Sequence, residues 1–267
     1  MNSNVLKLIM MLHIIYYSIF SGSAIATKEK IVLAADYWCP YNCDPKDKNL
    51  GYLVELAQEA FEIYDIDVEY RLMPWSEALL AVKEGRINGI IGFDNEDRDL
   101  LVPKIPQAYS VISTFTAKDS SWVYDDLQSF DNQKITLVLD YNLGDVMRQY
   151  FTTNYPSNPE LFILENGNYA IGNAINNLLE NKANIYVEDE KVVNYYVINN
   201  NLSDYIRDSG KINKNNPTPI FIAFSPKLKT SESYVKMLEE AMDSLDATGV
   251  LSHLQKKYEV IPLWYKN

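Results

Sequence analysis

The segment PWSEALLAVKEGRINGIIG, residues 74–92, sets the tightest limit on what this chain can become. It follows a short alternating run, Val68 to Leu72, and opens on Pro74 and Trp75. Ala78, Leu79 and Val82, flanked by Ala81, recur at the spacing of one helix face, and Gly85 ends that helix. Gly89-Ile90-Ile91-Gly92 then reads as a buried strand that delivers the chain to polar Asp94, Asn95, Glu96 and Asp97. Strand, helix and strand in this order argue for parallel pairing through a crossover helix. In open α/β sheets, ligands sit outside the carboxyl ends of such strands. Trp75 and the residues from Gly92 onward are therefore candidates for a site.

The same alternation runs through the rest of the chain. Ile31 to Ala35 is a short apolar strand, followed by the aromatic loop Tyr37-Trp38-Cys39-Pro40-Tyr41-Asn42-Cys43. After Gly51, the residues Leu53, Leu56, Ala57, Ala60, Phe61 and Tyr64 form one helical stripe. A second series starts after Ser120. It has a strand at Ile135–Leu139, a helix at Asp145–Phe151, a strand at Leu161–Leu164, a helical stripe from Ala170 to Leu179, and a strand at Ile185–Val187. Asp189 opens a helix carrying Val192, Val193 and Tyr196. The Asn-rich stretch Asn194–Asn216 reads as an exposed loop region. Ile220–Phe224 is a last strand, and Ser231 is placed as the N-cap of a helix with Tyr234, Val235, Leu238, Ala241, Met242 and Leu245 on one face. Two α/β units thus follow one another, each with its own core.

The start of the chain reads as an export signal. Lys7 precedes the apolar run Leu8–Phe20, and Ala24-Ile25-Ala26 is a small-x-small cleavage site, so residues 1–26 are expected to be removed. The alternative is an uncleaved anchor, but the run is shorter than the about 20 residues a membrane span needs. Export implies an oxidising compartment, where a disulfide between Cys39 and Cys43 is the first expectation and two free thiols the alternative. Cys-x3-Cys without a nearby His or a second Cys pair does not support a metal site. The net charge of −12 disfavours nucleic acid and anionic membrane as partners, without by itself selecting a cationic ligand.

Several of these pieces resemble, in order, segments of the family 3 periplasmic solute-binding proteins, the receptors of polar amino-acid ABC transporters. They are YWCPYN, GYLVELAQEAFE, PWSEALLAVKEGRINGIIG, ITLVLDYNLGD, NNLLENKANIYVED, FIAFSPK and the closing GVLSHLQKKY. The resemblance implies a type II periplasmic-binding-protein fold, α/β and two-lobed. Each lobe would be a mostly parallel sheet flanked by helices, with two hinge strands joining them. On that template lobe 1 is residues 27–113 plus 226–267, and lobe 2 is residues 114–225. Hinges would fall near Ser110–Phe115 and Ala223–Pro226.

The resemblance also implies a function. A soluble periplasmic monomer would capture a small polar ligand, an amino acid or related compound, between its lobes and pass it to the membrane permease of an ABC transporter. No cofactor and no catalysis are expected. The alternatives are a periplasmic dehydratase-type lyase using Asp94 and Asp189, and a sensory module acting on a separate receptor. Once His13 leaves with the signal, His253 on the last helix is the remaining histidine, which gives a Ser-His-Asp or Cys-His arrangement poor support.

The ligand residues follow from the same template. Tyr37, Trp38, Tyr41 and Trp75 are candidates for an aromatic wall. Gly92, Phe93 and Asp94 lie where the family holds a ligand carboxylate, and Arg98 matches the arginine that clamps it, a guanidinium fork suiting a carboxylate. Asp94 and Asn95 stand where the family has a small hydroxyl residue. Asn142, Leu143 and Gly144 precede a helix whose free N–H groups could meet an anion. Asp189 matches the family's amine-binding aspartate, and it equally suits the N-cap of the next helix.

Overall fold

The computed structural model describes residues 28–94 and 99–260. The expected signal at residues 1–26 and the expected clamp Arg98 lie outside them. In chain order the elements begin with β1 (Glu29–Ala35), α1 (Tyr52–Glu62), β2 (Ile66–Leu72), α2 (Trp75–Lys83), β3 (Gly89–Phe93), β4 (Ala108–Ser110) and β5 (Ile112–Ala117). They continue with β6 (Ile135–Val138), α3 (Gly144–Asn154), β7 (Phe162–Glu165), α4 (Ala170–Leu179), β8 (Ile185–Asp189) and α5 (Glu190–Asn199). The last are β9 (Ile206–Lys211), β10 (Thr218–Phe224), α6 (Ser231–Ala247) and α7 (Val250–Tyr258).

The strands form two sheets of five, ordered β2-β1-β3-β10-β4 and β7-β6-β8-β5-β9. In each, three strands joined through helices are parallel. The other two are joined through antiparallel pairings, so the sheets are mixed rather than mostly parallel. This is the type II periplasmic-binding-protein architecture. The parallel half follows from the strand–helix alternation. The antiparallel half arises because β4 and β5 continue almost straight from one sheet to the other with only Val111 between them.

The return crossing lies at residues 212–217, earlier than the expected hinge at Ala223–Pro226. Residues Thr218 to Ile220 pair with β4, and Phe221 to Phe224 pair with β3, which places all of β10 in the first sheet. The Asn-rich stretch is also more ordered than its composition suggests. It holds the end of α5 and the whole of β9, whose residues pair antiparallel with β5. Ser231 is the first residue of α6, and Thr230 occupies the N-cap position.

Helix α1 buries Leu53, Leu56, Ala57, Ala60 and Phe61 against the first sheet together with Tyr234, Leu238 and Leu251 of α6 and α7. Ala78, Ala81 and Val82 of α2 close its other face with Ala34, Ile90 and Phe93. In the second sheet, α4 and α5 pack on one face with Tyr186, while Met147 and Tyr150 of α3 pack with Ile185 and Val187 on the other. Gly89 lets β3 approach β10 closely: a Cβ there would stand 2.6 Å from the carbonyl oxygen of Ala223 and 2.8 Å from Leu33 Cδ2. Neither backbone can give way without disturbing the pairing. Gly89→Ala is expected to lower unfolding free energy by roughly 2–3 kcal/mol, as overpacking in a core does, and urea denaturation at neutral pH measures it.

Candidate functional site

The carboxyl ends of the parallel strands in the two sheets face each other, and the polar side chains converge there. Asp36 follows β1, Trp75 follows β2, Gly92 and Asp94 lie at the end of β3, Tyr141 and Asn142 follow β6, and Glu188 is the last but one residue of β8. Together with Trp38 and Asn42 they line a cavity of about 40 Å³ between the sheets. At the roughly 10–15 Å³ that a water molecule requires by this measure, that is space for a few waters.

Contacts across the two sheets bridge the cavity. The Trp38 indole N–H donates to Glu188 Oε1 at 3.0 Å. The Tyr141 hydroxyl donates to Asp36 Oδ2. The Tyr41 hydroxyl lies 3.4 Å from Asp189 Oδ2. Trp75 and Tyr141 meet edge to face with centroids 6.3 Å apart. On the first lobe's side, Trp38 stacks on Tyr41 at 4.4 Å, with Tyr41 inside the loop that the Cys39–Cys43 disulfide closes and Trp38 just before it. The disulfide expectation is therefore met, and the loop it closes places Tyr41 behind Trp38, which stands at the cavity wall.

Burial dominates the electrostatics. It pushes the Asp36 carboxyl up to about 6, against the opposing effect of the Tyr141 hydrogen bond. It pushes Glu188 up to about 8, partly offset by the Asp189 N–H, the Trp38 indole and the Tyr186 hydroxyl, with the Asp189 charge adding to the rise. Asp189 rises to about 6, again through burial. Burial first, and neighbouring carboxylates second, raise the Tyr41, Tyr141 and Tyr186 hydroxyls well above their ordinary range.

Among the residues singled out from sequence, Trp38, Trp75, Gly92, Asp94, Asn142 and Leu143 line the cavity. Gly92 has φ +93°, a conformation that favours glycine at this wall. Tyr37 lies on a separate groove of about 980 Å³, beside Tyr70, Tyr169 and Tyr196. Phe93 points the other way, into the core beneath α2, because successive strand residues face opposite sides and Gly92 faces the cavity. Tyr41 is fully buried behind Trp38 and is not part of the lining. The Gly144 N–H is taken by Asn142 Oδ1 at 2.9 Å. Asp189 does not line the cavity either. Its Oδ1 caps α5 by accepting from Lys191 N and Val192 N at 2.8 and 3.0 Å, and its Oδ2 accepts from Ser110 at 2.7 Å.

Sequence reasoning passed over Asp36, Asn42, Tyr141 and Glu188. A signal for Glu188 was present: in Ile185-Tyr-Val-Glu-Asp189, period two puts Tyr186 and Glu188 on one face. Ending that strand at Val187 hid it.

The model of the bacterial extracellular solute-binding proteins, family 3, matches residues 31–260. A search of curated proteins returns no significant match. Among solved structures, a histidine kinase sensor domain with similarity to periplasmic binding proteins aligns at TM-score 0.72 and 21% identity, covering 86% of this chain and 96% of that one. An ancestral arginine-binding protein bound to arginine aligns at TM-score 0.70 and 15% identity, covering 86% and 98%. A structure from work on glutathione import via GshT and the cystine ABC importer TcyBC of Streptococcus mutans aligns at 0.74 and 18%, covering 88% and 98%. At these identities the likeness is one of fold.

Proposed function

The chain belongs to the bacterial extracellular solute-binding proteins of family 3, and from that premise we propose that it captures a small polar solute between its lobes outside the cytoplasm and hands it to a separate membrane protein. The observation that carries this reading is the cavity between the strand ends of the two sheets, bridged by Trp38–Glu188 and Tyr141–Asp36. Both latches join side chains on opposite sides of the crossings at Val111 and residues 212–217. Rotation about those crossings would part them, the hinge closure that such two-lobed binders use. A solute enters with the lobes apart, and its own groups take over the hydrogen bonds that the latches make in its absence.

Delivery to an ABC permease is the first reading of the partner. Signalling to a receptor is the second, favoured by the likeness to a histidine kinase sensor domain. The lyase alternative rested on Asp94 with Asp189, and Asp189 is committed to the α5 cap and Ser110.

A thermal-shift screen of amino acids, amines and small organic acids tests the proposal. A ligand that binds only the folded state at 100 times its Kd adds about 2.7 kcal/mol, which moves the melting temperature by several degrees. A stabilising solute, accompanied by a smaller radius of gyration in X-ray scattering, is the expected outcome. A well-folded protein that none of these solutes stabilises would overturn it.

A further inference from the structure

The cavity lining mixes donors and acceptors, and several of its polar side chains are already engaged. Trp38 and Tyr141 donate to Glu188 and Asp36, the Ser110 hydroxyl donates to Asp189, and Thr218 Oγ1 accepts from Asn213. Two lining asparagines, one after a strand of each sheet, are engaged at one end of the amide only. Asn42 follows β1 and is 1% exposed. Its Nδ2 donates to the Asp36 carbonyl at 2.7 Å, which fixes the orientation of the amide, and its Oδ1 is buried without a hydrogen-bond partner. Gly92 leaves room beside that oxygen. A Cβ there would have only Asn42 Oδ1, at 3.7 Å, and Trp38 Cε3, at 4.0 Å, within 4 Å. Asn142 follows β6 and is held by the opposite end. Its Oδ1 accepts from the Gly144 N–H at 2.9 Å, and its Nδ2 has no hydrogen-bond partner among the described residues.

A buried acceptor left unmatched is costly, so the Asn42 oxygen marks a place where a donor from outside the chain belongs. Neither asparagine takes part in the bonds across the sheets. Each is held by a bond on its own side, and Asn42 also by the paired backbone bonds between Trp38 and Asn42 around the disulfide. Both therefore keep their orientation when the lobes part, and side chains set before a solute arrives lose little freedom in binding it. Asp36 and Glu188 differ, since each must give up a partner across the sheets before it can meet a solute. This inference rests on the solute-binding reading of the site. We infer that Asn42 and Asn142 orient the solute: Asn42 Oδ1 accepts an N–H or O–H from it at the Gly92 wall of the first lobe, and the Asn142 amide donates to an acceptor atom of it on the second. The lobes then close fully only on a molecule that presents a donor to one and an acceptor to the other.

Each contact can be removed with little else. Asn42→Ala takes away the oxygen while the backbone bonds and the disulfide still hold the loop. Asn142→Ser takes away the amide N–H groups, and its hydroxyl can accept from the Gly144 N–H in place of Oδ1. Should Asn42→Ala fail to fold, Gly92→Ala gives the same reading by setting a methyl group beside Oδ1. Calorimetric titration at neutral pH uses L-glutamate, L-glutamine and L-ornithine, with glutarate as the probe without a donor and 1,4-diaminobutane as the probe without an acceptor. At least one amino acid is expected to bind roughly tenfold or more tighter than both of these, the worth of one well-placed buried hydrogen bond. Its binding should weaken by the same factor in each variant, while Asn42→Ala leaves the affinity for glutarate as it was. An amino acid that binds and is weakened less than that by either variant overturns the inference and leaves the solute-binding reading standing. So does glutarate or 1,4-diaminobutane binding as tightly as the amino acids. If none of the five binds, the inference fails too, and the broader thermal-shift screen decides the solute-binding reading separately.

Discussion

Asp189→Ala is expected to lower the unfolding free energy by roughly 3 kcal/mol, and Asp189→Asn by about 1 kcal/mol. The alanine variant strands three donors: the N–H groups of Lys191 and Val192 at the start of α5 and the buried Ser110 hydroxyl, while the Tyr41 hydroxyl keeps the Tyr109 carbonyl as acceptor. Loss of an N-cap costs about 1 kcal/mol, and each buried donor left without an acceptor adds about 1–3 kcal/mol. Relief of the burial that raises this carboxyl to about 6 returns part of that cost. Asparagine keeps an acceptor for the cap, and the Ser110 hydroxyl can turn to accept from the new amide. The contrast separates two roles for the residue. If Asp189 served mainly to hold a solute amine, both variants would unfold like the parent in urea and differ only in binding. Two denaturation curves near the parent's would therefore overturn the structural role assigned here.

What could be read in the sequence follows from how locally each feature is encoded. The parallel strands β1, β3 and β6 are apolar runs between helices with a clear stripe, so their existence and pairing type are written in short windows. Strand β9, Ile-Arg-Asp-Ser-Gly-Lys, carries a single apolar residue, and it is a strand because β5 offers an edge to pair with. No local pattern reports that. The site divides in the same way. Trp75, Gly92 and Asp94 were accessible because the ends of parallel strands are where ligands gather. Phe93 and Glu188 show that alternation carries finer information, since one belongs to the core and the other to the cavity by parity alone. Asp36 and Tyr141 are different. Each looks ordinary in its own segment, and they matter because β1 and β6 end opposite one another across the closed lobes. The family template placed the amine-binding carboxylate at Asp189, one residue beyond the carboxylate that faces the cavity.

Glu188→Gln should make the ligand-free protein more stable at pH 8, by on the order of 3–4 kcal/mol, while leaving it close to the parent near pH 5. The carboxyl of Glu188 is pushed up to about 8 by burial, whereas in the unfolded chain it titrates near the ordinary glutamate value of about 4.3. Between those values the folded protein keeps a proton that the unfolded chain has released. Stability therefore falls as pH rises through this window, at up to about 1.4 kcal/mol per pH unit. Asp36 and Asp189, both raised to about 6, add to the decline between about pH 4 and pH 6, and their contribution persists in the variant. The other titratable groups at Glu188 are Tyr186 and Tyr141, whose hydroxyls stay protonated throughout because their own values are raised. Glutamine preserves the geometry: its oxygen can accept from the Trp38 indole and the Asp189 N–H, and its amide can donate to the Tyr186 hydroxyl. It does not ionise, so the slope above pH 6 should largely disappear. A buried carboxyl whose ionisation destabilises the ligand-free protein is the kind of stability cost expected of a binding site. Melting curves of parent and variant from pH 5 to pH 8.5 give the measurement. Parallel pH profiles for the two proteins would show that Glu188 is not the group that makes the closed cavity costly.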